Sequence, residues 1–206
     1  MARDLLPRRF QADVDRFYRR VVVPALHELR SDHDGKGRTF DSWEAFLDGA
    51  EKLTTRMLAF EARRCFALSL HGLFERQLRV WARAGAEKGE WLMLAKIEFE
   101  KLLCDTAASR DIDLVARDLG RVLVELHLLA NVVRHGDGVS VNRLKAIAPH
   151  FWGELEDADA QEFEDRFLLS ENVWPSDQII RGYARAIVRF WGLADREFGS
   201  VVDAPY

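Results

Sequence analysis

The chain has 206 residues, 48% of them apolar and 31% charged, and carries a net charge of -4 at pH 7. One hydrophobic core can grow to roughly 250 residues before splitting, so this length fits a single domain, and the apolar share is too high for disorder. The acidic balance excludes a protein that coats nucleic acid through a global positive field and leaves room only for a local basic patch.

The opening MARDLLPRRF has arginines but no apolar stretch of the secretory kind. No segment approaches the roughly 18 uninterrupted apolar residues of a membrane span, so the expected location is cytoplasmic, with no membrane partner. Two cysteines, Cys65 and Cys104, each sit in an apolar periodic segment. They give neither a disulfide framework nor a zinc ligand set, and they are expected to be buried free thiols.

Helical periodicity runs through almost the whole chain, and two-residue alternation is nearly absent. A first amphipathic helix is expected from about Phe10 to Leu29, with Phe10, Val14, Phe17, Val21 and Ala25 on one side and a kink or split at Pro24. A polar, glycine-containing loop follows over Ser31 to Phe40. Asp41 and Glu44 make a capping box for a long apolar pattern from Trp43 to Trp81. Some 40 residues is long for one globular helix, so a break is expected near Ala59 to Arg63 or at Gly72.

Gly85 and Gly89 bracket a connection into a helix from about Glu90 to Ala107. Ser109 or Asp111 then caps a helix from about Ile112 to His135, which Gly136-Asp137-Gly138 ends. Ser140 caps a short helix that stops before Pro149. The acidic stretch from Trp152 to Asn172 is weakly periodic and is left open between an irregular loop and a small hairpin. Ser176 caps the last helix, to about Phe198, with Ile179, Tyr183, Ile187, Phe190 and Trp191 facing inward. The expected architecture is an all-α, single-domain helical bundle with a short irregular insertion near its C-terminal end.

Within LGRVLVELHLLANVVRHGDG, a broad apolar face is flanked by His127, Asn131, Arg134 and His135, at i, i+4, i+7 and i+8. Those offsets form one stripe on a helix. Imidazoles exchange protons near neutral pH, and a guanidinium grips phosphate through a forked pair of hydrogen bonds. The structural alternative stands beside this: Arg134, His135 and Gly136 are what a helix C-terminus prefers, His127 could be a satisfied half-buried histidine, and Asn131 could bond a nearby loop.

The string Leu129-Ala130-Asn131-Val132-Val133-Arg134-His135-Gly136 resembles the end of the signature helix of HEPN domains, helical modules of bacterial toxins, antiphage defence proteins and RNA-cutting effectors. Their motif has an arginine, usually an asparagine next, and a histidine four to six residues after the arginine. Asn131 and His135 match, whereas Ala130 occupies the arginine position. Arg134 offers a replacement charge. Arg121 and His127 also satisfy the spacing, but six helical residues turn about 240°, so they point to different sides and Arg121 is placed to pair with Glu125. The resemblance extends loosely to LHGLFERQLRVWAR upstream and to the helix ending in Phe190-Trp191.

What this resemblance implies is metal-independent RNA cleavage at a homodimer interface, with no cofactor. His135 would move a proton, Asn131 would orient it or bind phosphate, Arg134 would steady charge on the phosphoryl oxygens, and His127 would contact substrate. An antitoxin or defence-system protein is the implied partner. The alternative is a non-catalytic helical interaction module that kept the fold and lost the arginine.

Elsewhere, His71 and Glu75 at i and i+4 could be two metal ligands but lack a third at recognisable spacing, so no metal is expected. Arg76, Arg79 and Arg83, with Arg63 and Arg64, read as a solvated helix face or, less simply, a phosphate-contacting surface. The six tryptophans are dispersed and read as core or interface anchors.

Overall fold

The computed structural model describes residues 4–29, 42–152 and 170–206. Those residues form an all-α fold, with no strand among them. The helices are α1 (Leu6–Phe17), α2 (Val23–Glu28), α3 (Trp43–Ala84), α4 (Trp91–Ala95), α5 (Phe99–Ala108), α6 (Leu119–His135), α7 (Val139–Ile147) and α8 (Asp177–Ala194). The Asp41–Glu44 capping box, the loop expected over Ser31 to Phe40 and most of the stretch after Trp152 lie outside the described residues.

The first rod is split just before Pro24. A wide π turn at Tyr18–Val22 carries α1 into α2, and such a turn absorbs the missing proline amide. It also moves the buried face. Phe10, Val14, Tyr18, Val22 and Leu26 are buried in strict steps of four, whereas Val21 is exposed. On an uninterrupted α-helix that spacing would drift around the axis, and the wider turn corrects it.

The break expected in α3 does not occur: 42 residues run as one helix, about 63 Å at 1.5 Å per residue. Gly72 is tolerated because tertiary packing outweighs its propensity cost of about 1 kcal/mol. Ala67, Leu70, Phe74, Leu78 and Trp81 bury the C-terminal half, while Trp43, Phe46, Leu47, Met57 and Leu58 on the other half are exposed. Cys65 falls on the side of α3 opposite this buried row, and Cys104 likewise on α5. Both thiols are exposed, contrary to the expectation from sequence.

Two further boundaries move. The helix expected from Glu90 to Ala107 is interrupted between α4 and α5, because Arg79 of α3 takes the carbonyls that would continue it. Its guanidinium donates to Leu94 and Ala95 (3.1 Å each) and to Ile97 (3.2 Å). The helix expected from Ile112 begins only at Leu119. Asp113 accepts the amides of Val115 and Ala116 instead, and Arg117 and Asp118 hold left-handed backbone that no helix continues through. Ser109 bonds back to the Thr106 carbonyl and so finishes α5. Ser140 lies inside α7, whose N-cap is Gly138.

Other ends are where the sequence puts them. Gly136, at φ +72°, ends α6, a conformation that favours glycine. The Ser176 hydroxyl accepts the Ile179 amide at the start of α8. One hydrophobic cluster joins side chains of α1, α2, α3, α5, α6, α7 and α8. Helix α1 packs along α8, and α3 lies against α5, α6 and α8. Trp191 donates to Gln77 (2.8 Å), which donates to the Phe10 carbonyl, pinning α8, α3 and α1 together. This frame sets α3 and α6 side by side and brings α5 and α7 to their shared edge.

Candidate functional site

The contact between α3 and α6 contains polar side chains in an otherwise apolar seam. His71 is 1% exposed and lies on α3 facing α6. Its Nε2 is 2.9 Å from Nδ1 of His127, and the other ring nitrogen of His127 is 3.1 Å from Nδ2 of Asn131, one turn on. Phe99, the first residue of α5, stacks flat on the His127 ring at 4.4 Å. The Arg79 contacts that separate α4 from α5 therefore also fix the aromatic wall of this site. Arg79 holds Glu75 as well, at 2.7 Å, and Oε2 of Glu75 is 4.0 Å from Nδ1 of His71.

Charge orders the protons in this row. With Asn131 donating to Nε2 of His127, the His127 hydrogen sits on Nδ1 and is given to Nε2 of His71. The His71 hydrogen then sits on Nδ1 and faces the Glu75 carboxylate, too far for a hydrogen bond. The reverse order would point a His71 lone pair at that carboxylate. In either order Nδ1 of His71 is buried without a hydrogen-bond partner, an uncommon and costly condition inside a folded protein.

Burial, with the neighbouring His127 adding to it, pushes the His71 pKa down to about 4. Burial lowers His127 also, against the opposing pull of Glu100 and Glu75. Burial alone would raise Glu75, but the Arg79 hydrogen bond and the His71 ring bring it below its ordinary value. At neutral pH the site therefore holds two neutral imidazoles, able to accept a proton, beside an ionised carboxylate.

These groups border a cavity of about 400 Å³ lined by His71, Glu75, Phe99, His127, Asn131 and Arg134, with Glu98, Glu100 and Arg143 at its acidic and basic margins. Arg143 of α7 is paired with Glu100 of α5. Arg134 forms no hydrogen bond or ion pair with a described residue.

Of the four stripe residues, His127, Asn131 and Arg134 share this cavity. His135 is exposed in the last turn of α6 and does not line it. Arg121 points elsewhere, to Glu125 at 3.2 Å, as the helical angle requires. His71 and Glu75, weighed from sequence as a metal pair, meet His127 instead. Among the described residues no group of three or more His, Cys, Asp or Glu could hold a metal ion. Phe99, Glu100 and Arg143 had no signal in the sequence. His71 had a weak one, an imidazole with a carboxylate one turn on within an apolar helix.

The former arginine run is divided by the structure. Arg63 is buried against Asp177 at 2.6 Å, Arg64 meets Glu61, Arg79 is occupied as described, and Arg76 and Arg83 are exposed. No helix among the described residues is long and apolar enough to cross a membrane. No family model matches the chain, and no curated protein or solved structure matches it.

Proposed function

We propose that this chain is a HEPN-like protein directed at RNA, of the bacterial toxin or phage-defence kind, that cleaves a phosphodiester without a metal. The observation that carries the reading is the 2.9 Å contact between His71 and His127 at a cavity that Arg134 also lines. His127, more accessible than His71, takes the proton of a ribose 2′-hydroxyl on Nε2, where the hydroxyl displaces the Asn131 amide. The 2′ oxygen bonds to the adjacent phosphorus, the bond to the 5′ oxygen breaks, and that oxygen leaves with a proton from solvent. A 2′,3′-cyclic phosphate results. Arg134 offsets the charge that builds on the phosphoryl oxygens, and His71 shares the positive charge through its bond to His127. Asn131 holds the ring in place until substrate binds. His135 and Arg134 lie exposed at the end of α6, and a homodimer joined there would bring two stripes together and concentrate positive charge.

The test uses purified full-length protein and single-stranded RNA with a chelator present, beside His127→Ala and His135→Ala. Cutting that survives chelation, ends in cyclic phosphate and falls roughly 100-fold or more in His127→Ala supports the reading. Loss in His135→Ala with His127→Ala still active would move the chemistry to the end turn. No cutting by the wild type favours the second reading, a non-catalytic interaction module. That alternative draws on exposed apolar residues that a partner would bury: Trp43, Leu58, Leu92 and Met93 are 70%, 58%, 79% and 73% accessible.

A further inference from the structure

A second hollow, of about 530 Å³, shares Arg134 with the first. Phe17 of α1, Leu68 and Leu73 of α3 give it an apolar floor, Ser69 supplies a hydroxyl, and Arg76 and Arg134 supply two guanidinium groups. No carboxylate lines it, and neither arginine is paired with a described residue. Most arginines elsewhere in the fold are matched by an acid, as Arg8 is by Asp195 and Arg63 by Asp177. Two unmatched cations over an apolar floor suit a ligand that is anionic at one end and apolar and planar at the other.

Gly72 adds a second, independent observation. A Cβ built there would stand 3.3 Å from Nη1 of Arg76, closer than ordinary van der Waals contact. Arg76 thus lies back along α3, over the glycine one turn before it, and its charge is at the hollow. An otherwise unfavourable mid-helix glycine gains a reason from this approach. Arg134 lines both cavities, so one ligand can pass from the imidazoles to the hollow along a single guanidinium.

We infer that the hollow is a nucleotide subsite of a single RNA strand: a phosphate lies between Arg76 and Arg134, and the adjoining base rests on Phe17, Leu68 and Leu73 with an edge near Ser69. This rests on the proposal that the imidazole cleft acts on RNA, and it adds which side of the cleft the strand occupies. Bases of any identity can rest on an apolar and aromatic floor, so the subsite selects single strands without selecting sequence.

Binding of a fluorescent single-stranded oligoribonucleotide to the full chain tests this, with an abasic oligomer of equal charge as the second probe. The variants are Arg76→Gln and, as a charge control outside both cavities, the exposed Arg181→Gln. The expected results are a fivefold to tenfold loss of affinity in Arg76→Gln, with the slope of log affinity against log salt reduced by about one, and less than twofold loss in the control. The wild type should bind the abasic strand several-fold more weakly, and Phe17→Leu should narrow that gap. Equal losses in the two arginine variants, equal binding of the two strands, or no RNA binding at all would overturn the subsite. The two proposals fail separately. Binding that depends on Arg76 without any cutting sinks the cleavage reading and keeps the subsite, whereas cutting that depends on His127 and ignores Arg76 does the reverse.

Discussion

Helix α6 carries two polar side chains only two residues apart, and they meet opposite fates. Glu125 is sealed in the core, where it accepts the Tyr183 hydroxyl at 2.9 Å and pairs with Arg121 at 3.2 Å. His127 also meets a buried partner across the helix interface, but its network opens on a cavity and leaves Nδ1 of His71 without a hydrogen bond. The first arrangement satisfies every group it buries and has no exit. The second tolerates an unsatisfied nitrogen beside a space large enough for a ligand. A network completed inside the core contributes to stability, whereas one left incomplete beside a cavity has room for a further group to join it.

The comparison breaks if the two networks respond alike to mutation. Glu125→Ala strands the Tyr183 hydroxyl in the core and should cost about 3 kcal/mol, read as a shifted urea midpoint. Glu125→Gln keeps an acceptor for Tyr183 and should recover most of that. RNA cleavage per folded molecule should be unaffected by either change. Burial, with the charge and hydrogen bond of Glu125 adding to it, holds the Tyr183 pKa well above its ordinary value, so the Tyr183 hydroxyl should stay protonated through the neutral range.

The imidazole network should be distinguished by pH. His71 binds its proton at about 4 when folded and near 6.5 when unfolded, so the unfolded chain holds more protons between those values. Stability supplied by the neutral ring is complete above about pH 6.5 and is lost as pH falls toward 4, by roughly 3 kcal/mol in all. Glu75 on α3 and Glu100 on α5 oppose the depression of His127, while Arg134 on α6 and Arg143 on α7 reinforce it. Urea titrations at successive pH values should show the slope in the wild type and a smaller one in His71→Phe. An identical slope in both would place the acid sensitivity elsewhere.

How much of this was legible follows from distance along the chain. The Gly136 terminus and the Ser176 cap depend on neighbours within a turn, and their residue types announce them. The inward face of α8 was also readable from its period, with Tyr183, Ile187, Phe190 and Trp191 all buried. The gap between α4 and α5 was not, because it is made by Arg79 from another helix. Nor was the buried row through Tyr18, Val22 and Leu26, since a wide turn has no distinct residue pattern. The polar stripe was visible as a stripe, yet its counterpart, His71, is 56 positions away from His127. Periodicity can say that two residues share a face of one helix. It has no means of choosing which face of a second helix lies opposite.

His71→Phe tests stability as well as titration. Removing the imidazole eliminates the unsatisfied Nδ1 and puts an aromatic ring beside Phe99, which already lies 5.0 Å from the His71 ring. His127 loses its partner but is only half-buried, so water can replace it. The change should alter stability at pH 7 by less than about 1 kcal/mol, while cleavage falls with the lost relay. A penalty matching that of Glu125→Ala would mean that the imidazole pair is a structural network like its neighbour.

The smallest effect separates propensity from position. Gly72→Ala should stabilise α3 by up to about 1 kcal/mol, the difference between the two residues inside a helix. The new methyl group must, however, displace the Arg76 guanidinium by a few tenths of an ångström from its 3.3 Å approach. Because Arg76 is exposed and flexible, that movement is inexpensive for the fold and should not cancel the gain. It does shift a charge at the hollow, so a raised thermal midpoint should coincide with weaker RNA binding. A protein made more stable with binding unchanged would show that the glycine is incidental, since nothing in the packing of the buried half of α3 otherwise requires a missing side chain at that point.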